Sequence, residues 1–133
     1  MRYLLDTNHI SPLVTRNHPL RQRIFVRLND EDLFSIATPC ITEFIYGIGI
    51  LPRAKENLQE WAQLQSKFSI VSFQQIEAEQ AGHLQIALRR NGRQLGLVDA
   101  LVSVIALRDD FTLLITDRDF DAIPSLRTEN WII

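Results

Sequence analysis

A chain of 133 residues with net charge −2, 46% hydrophobic and 23% charged side chains has room for one domain around one core, so residues 1–133 are read as a single unit. That balance argues against disorder, collagen-like repeats and coiled coils, and no apolar run is long enough to cross a bilayer, so no membrane association is expected. The one cysteine, Cys40, excludes an internal disulfide and a multi-cysteine metal site, while Asp6 and Asn8 interrupt the N-terminal apolar stretch and argue against a signal peptide; a cytoplasmic protein is expected.

Tyr3-Leu4-Leu5 reads as a buried strand ending in a polar loop, Asp6-Thr7-Asn8. Pro12 and Pro19 limit a first helix and start a second, in which Leu20, Ile24 and Leu28 recur four residues apart. Leu33–Ala37 is a second strand. Thr38-Pro39 then supplies a capping oxygen and a first-turn proline for a helix carrying Ile41, Phe44, Ile45, Ile48 and Leu51. Pro52 ends that helix and opens a charged amphipathic one, with Leu58, Trp61, Ala62, Leu64 and Phe68 inward. A brief strand at Ile70-Val71 follows.

From Gln75 to Arg90, the positions Ile76, Ala81, Leu84 and Leu88 predict a helix, and Asn91-Gly92 is a natural left-handed stop. Leu97 to Arg108 is an apolar helix and Phe111–Ile115 the clearest strand, ended by Thr116-Asp117-Arg118-Asp119. A short helical turn and a last strand between Leu126 and Trp131 complete the chain. Short apolar strands alternating with helices predict an α/β fold, a mostly parallel sheet covered on both faces.

In such folds the functional crevice lies beyond the carboxyl ends of the strands, where connections diverge. Asp6 and Asp117 sit at two such ends. Glu43 lies one turn inside an otherwise apolar helix, and Asp99 lies in the first turn of another. Singly, these are an acid favoured by a helix dipole and Asx turn formers. Together they are four carboxylates with no nearby lysine, cysteine or histidine partner in the sequence. Hard oxygen donors of this kind favour Mg²⁺ or Mn²⁺ over Zn²⁺, and those ions activate water and stabilise phosphoryl transition states.

MRYLLDTNHISPL with Asp6, PCITEFIYGI with Glu43, GLVDALVSVIAL with Asp99 and LLITDRDF with Asp117 resemble, in order, the four motifs of the PIN-domain ribonucleases. Their order and spacing, with the closing LRTENW, are most similar to the VapC-type toxins of bacterial toxin–antitoxin pairs. The resemblance implies a three-layer α/β/α sandwich and an Mg²⁺- or Mn²⁺-dependent endoribonuclease that cleaves RNA by metal-activated water. It also implies inhibition by a cognate antitoxin protein, and a homodimer. Asp6, Glu43, Asp99 and Asp117 map onto the family's catalytic and metal-binding acids. Thr7 and Asn8 map onto the polar neighbours that orient a ligand carboxylate or a water on the metal. TDRDF is a compressed fourth motif, so Asp119 competes with Asp117 and Asp121 stands further out; Asp117 is favoured as nearest the strand end.

All basic side chains but Lys55 and Lys67 are arginine, grouped as Arg16, Arg21, Arg23, Arg27 and as Arg89, Arg90, Arg93. Guanidinium suits phosphate, although solvated helix faces are the simpler reading. Arg93, in the loop before Asp99, is a candidate RNA contact. His9, His18 and His83 read as surface or loop-capping residues, Trp61 and Trp131 as core or interface, and Gly47 as a place for another element to approach its helix. Two other functions fit an acid at a strand end: a receiver-like signalling module, weakened because both lysines precede residue 68, and a noncatalytic PIN-like RNA-binding scaffold.

Overall fold

The computed structural model describes residues 1–132. Five strands, β1 (Arg2–Leu5), β2 (Leu33–Ala37), β3 (Ser69–Val71), β4 (Thr112–Leu114) and β5 (Arg127–Glu129), form one all-parallel sheet in the order β3-β2-β1-β4-β5. Leu4, Leu5, Phe34, Ile36, Leu113 and Leu114 have no exposed surface. Burial on both faces is why these strands read as continuous apolar runs instead of alternating ones. The connections β1 to β2 to β3 travel one way along the sheet and β3 to β4 returns across it. Right-handed crossovers in opposite directions put their helices on opposite faces, which makes three layers.

The helices are α1 (Thr7–Ile10), α2 (Pro19–Asn29), α3 (Thr38–Gly49), α4 (Ala54–Leu64), α5 (Gln75–Arg90) and α6 (Leu97–Arg108). α6 is apolar all round because it is the buried one: every residue from Ala100 to Ala106 is shielded, and it packs on α5, α3 and β4. α5 stops where expected, with Gly92 at φ +75°.

Several local expectations are corrected. Asp6-Thr7-Asn8 is no loop, since α1 starts at Thr7 directly behind β1, and a 3-10 turn, Ser11–Val14, takes Pro12 into its own start. Proline is tolerated there because that N–H has no partner in a helix's first turn. Thr38 lies inside α3 and makes no capping bond; Ala37 holds the cap position. α3 ends before Leu51, which is 51% exposed. α4 buries Glu60, Trp61 and Leu64 and turns Leu58 and Ala62 outward. On α5 the inward stripe begins at Glu77, not Ile76, because Arg108 Nη1 draws the Glu77 carboxylate in at 3.1 Å. Among the described residues, nothing outside its own helix backbone lies within 4 Å of where a Gly47 Cβ would stand.

The first arginine group is structural. Arg21 and Arg16 hold the buried Glu60 carboxylate at 2.7 and 3.2 Å, tying α2 and the turn before it to α4. Arg27 pairs with Asp32 at 2.6 Å, and Arg23 lies 4.0 Å over the Trp131 ring, which packs edge-on against Tyr3 and Phe34. Removing the Arg21 partner leaves a shielded carboxylate short of a donor. Arg21→Met is therefore expected to lower stability by about 2 kcal/mol. A urea midpoint equal to that of the native chain would show that Arg16 and water satisfy Glu60 without it.

Candidate active site

The strand order reverses between β1 and β4, so the connections leaving their carboxyl ends diverge and open a crevice. Asp6 stands at this point. Its backbone N–H donates to Leu114 O at 3.1 Å, extending the β1–β4 ladder by one residue, and its own C=O begins α1 by accepting from His9 and Ile10. Backbone pairing on both sides thus fixes where the Asp6 carboxylate emerges. It is only 7% exposed.

α3 brings Glu43 to the same place. Thr7 Oγ1 donates to Glu43 Oε1 at 2.7 Å, so the neighbour of one acid orients another. One turn before Glu43 on the same face of α3, the buried Cys40 thiol lies 3.7 Å from Asp6 Oδ1 and donates to it. Ligand atoms of Asp6, Cys40 and Glu43 all lie within 4.8 Å of one another; Asp99 and Asp117 are not members of a group that tight. Burial raises the Cys40 thiol well above its ordinary range, so in the metal-free fold it stays protonated and serves as a donor to Asp6.

Asp99 reaches the crevice from the first turn of α6, behind Gly96. Burial first, and then the charges of Asp6, Glu43, Asp117 and Asp119, push its carboxyl up to about 6. Burial also raises Asp6, assisted by Glu43 and Asp117 and opposed by the Thr7 backbone N–H and the Cys40 thiol. The groups that perturb Asp99 are the other acids singled out in the sequence, which places them in one electrostatic neighbourhood. Burial is the largest cause for both Asp6 and Asp99, and like-charge repulsion adds to it.

Asp117 Oδ1 accepts from the Asp119 N–H at 2.8 Å and so caps the turn Arg118–Ala122. Asp119 instead lines a cavity of about 460 Å³ with Leu88, Asn91, Gly92, Arg93, Gln94 and Leu95. Of the two, Asp117 acts more strongly on Asp99 and is the one that acts on Asp6. Asp121 is exposed on the turn and figures in neither shift.

Three participants escaped sequence reading. Cys40 contradicts the expectation of acids without a cysteine partner, and its position three residues before Glu43 was the available signal. Thr116 accepts a hydrogen bond from Asn8 Nδ2. His9, expected at the surface or on a loop, is wholly buried. His18 does cap a helix, accepting from the Leu20 N–H at 3.1 Å.

The sequence profile of the PIN domain matches residues 3–126, nearly the whole chain. This chain belongs to the PIN-domain family. Among relatives of this PIN domain, the tRNA(fMet)-specific endonuclease VapC of Shigella flexneri is 27% identical over 133 residues, covering 98% of each chain. Ribonuclease VapC2 of Haemophilus influenzae is 25% identical over 134 residues, covering 99% of each. The solved structure of VapBC2 from Rickettsia felis, bound to a DNA fragment from its promoter, superposes with a TM-score of 0.85 at 23% identity, over 98% of this chain and 99% of that one. The receiver-like reading falls: the flavodoxin-like order is 2-1-3-4-5, and the order here is 3-2-1-4-5.

Proposed function

We propose that this PIN domain is a metal-dependent endoribonuclease, the toxin of a type II toxin–antitoxin pair, acting on RNA in the cytoplasm. What supports the reading is the mutual electrostatic influence of Asp6, Glu43, Asp99 and Asp117 around the carboxyl end of β1. Four carboxylates, partly shielded from water, with Asp6 and Glu43 held by Cys40 and Thr7, fit Mg²⁺ or Mn²⁺. Full-length similarity to proteins named as VapC ribonucleases supports the same reading.

Asp6, Glu43, Asp99 and Asp117 would hold the ion. When bound, it supplies Lewis-acid stabilisation of the phosphoryl charge and lowers the pKa of water. The Cys40 thiol holds one oxygen of Asp6, while the Thr7 hydroxyl restricts the rotation of Glu43. Both side chains are thus aimed before any ligand arrives, which spares reorganisation at the moment of reaction. The Asp99 carboxyl, pushed up to about 6 by burial and then by the other acids, would serve as a ligand in its ionised form. Arg93, exposed beside the cavity that Asp119 lines, is the side chain we assign to an RNA phosphate. Asp119 supports the site from that side. A noncatalytic RNA-binding scaffold has no use for this many acids beside a phosphate backbone.

The antitoxin would occupy the groove of about 930 Å³ between residues 14–17 and 51–63, whose walls include Val14, Leu51 and Pro52 with Glu56 and Glu60. It would offer apolar side chains to this groove and a basic one to the acids. Tyr46 and Ile50, 69% and 66% exposed on and just beyond α3, supply apolar surface for the homodimer that the family resemblance implies. Among the described residues, no helix is long and apolar enough to cross a membrane. Expression of the chain alone is expected to arrest growth, and co-expression of the neighbouring small open reading frame to restore it. Unimpaired growth with cleavage-competent protein would leave a nuclease without a toxin's role.

A further inference from the structure

His9 is buried three residues beyond Asp6 and takes no part in the scheme above. Its Nε2 accepts from the Trp131 backbone N–H at 3.1 Å, and its Nδ1 lies 3.0 Å from Asn8 Oδ1. Asn8 Nδ2 in turn donates to Thr116 Oγ1, next to Asp117. A backbone N–H can only donate, so Nε2 carries no proton and Nδ1 does. The Nδ1–H must then meet the Asn8 carbonyl oxygen, which turns the Asn8 amide nitrogen toward Thr116. With its oxygen thus engaged, the Thr116 hydroxyl keeps its own proton free to donate. Each direction in this chain follows from the one unflippable donor at its start.

We propose that His9 is a positioning residue of the cleavage reaction: tethered to the C-terminal segment, its Nδ1–H tautomer fixes the Asn8 amide and leaves the Thr116 hydroxyl as an outward donor beside the acid cluster. This rests on the nuclease reading and deepens it. The hydroxyl's partner is a phosphate oxygen of the RNA or a carboxylate of the cluster, both acceptors that an inverted chain would leave facing a lone pair. The ring is suited to the task because burial holds it neutral, pushed down to about 4. A charged imidazolium would carry a proton on Nε2 as well and set that donor against the Trp131 N–H.

Two substitutions separate the tether from the relay. In His9→Gln the side-chain carbonyl can take the place of Nε2 and keep the Trp131 tether, but the donor to Asn8 is lost. In His9→Asn the amide nitrogen takes the place of Nδ1 and keeps the relay, but Trp131 N–H is left without a partner. His9→Gln is expected to melt near the native chain and to lose about tenfold in kcat on RNA with Mn²⁺, with KM nearly unchanged. His9→Asn is expected to melt several degrees lower and to retain turnover within about threefold. In an Asn8→Ala background the tenfold effect of His9→Gln should vanish, because the relay is already cut.

Native kcat in His9→Gln, or a tenfold loss undiminished by Asn8→Ala, overturns the proposal. Nitrogen chemical shifts of the ¹⁵N-labelled ring in the native chain give a readout independent of activity. Nδ1 protonated and Nε2 bare at pH 7 is the expected result, and an Nε2–H ring overturns the proposal even in active protein. A chain that cleaves no RNA but shows the Nδ1–H ring would refute the nuclease reading and leave the tether standing.

Discussion

Asp99→Asn is expected to lower RNA cleavage in Mn²⁺ by about 10²–10³-fold, with Asp6→Asn losing at least as much. Each acid emerges from an element fixed by the core: Asp6 from the paired end of β1, and Asp99 from the first turn of the buried helix α6. The amide is nearly isosteric, so packing is kept while one negative ligand is removed where burial makes a charge hard to replace by water. Single-turnover assays on a structured RNA, with circular dichroism to confirm folding, measure the effect. Native rates for either folded variant under saturating Mn²⁺ would remove that residue from the site. Asp119→Asn is expected to lose far less, which makes it the internal comparison for the fourth acid.

The second large effect is on stability. In the metal-free fold the Asp99 carboxyl is raised to about 6 from an ordinary value of 3.8. The folded chain therefore binds more protons than the unfolded chain between those values. Stability accordingly falls as pH rises from about 4 to about 6 and levels off above. Neighbouring acids share the proton, so the titration belongs to the cluster and not to Asp99 alone. A divalent ion that binds only the folded site reverses the loss, by about 2.7 kcal/mol at about 100 times Kd, or about 8 °C in melting temperature for a domain of this size.

Asp99→Asn removes a destabilising charge and a ligand together. At pH 7 with chelator it should melt at or above the native chain, with the difference closing toward pH 4, and its shift on adding Mn²⁺ should be clearly smaller. Equal Mn²⁺ shifts in the two proteins would mean that Asp99 is no ligand and that these carboxylates do not form one site.

The local code of the chain carried the elements and the order of the acids. β1, β2 and β4 are short apolar runs because both faces of the sheet are covered. α6 runs from Leu97 to Arg108 as expected because its apolar character has no gap, and Gly92 ends the register of α5 at a positive φ. Once strands alternate with helices, an acid directly after a strand is expected at the carboxyl edge, which is what singled out Asp6 and Asp117.

What surrounds those acids was not readable. Cys40 meets Asp6 across 34 residues of chain, and Trp131 meets His9 across 122, so parallel pairing of β1 with β2 and β4 and the return of the chain after β5 decide both contacts. The same holds for which apolar residues stay out of the core. Ile76 and Leu58 have the right chemistry and an adequate period, but the rotation of α5 is set by the Glu77–Arg108 pair and that of α4 by Glu60 held between Arg16 and Arg21. Helical phase follows from partners on other elements. Sequence by itself therefore carried most of the elements and the order of the candidate acids; the tertiary structure alone decided which side chains hold them, because a hydrogen bond needs two groups whose separation in the chain carries no signal.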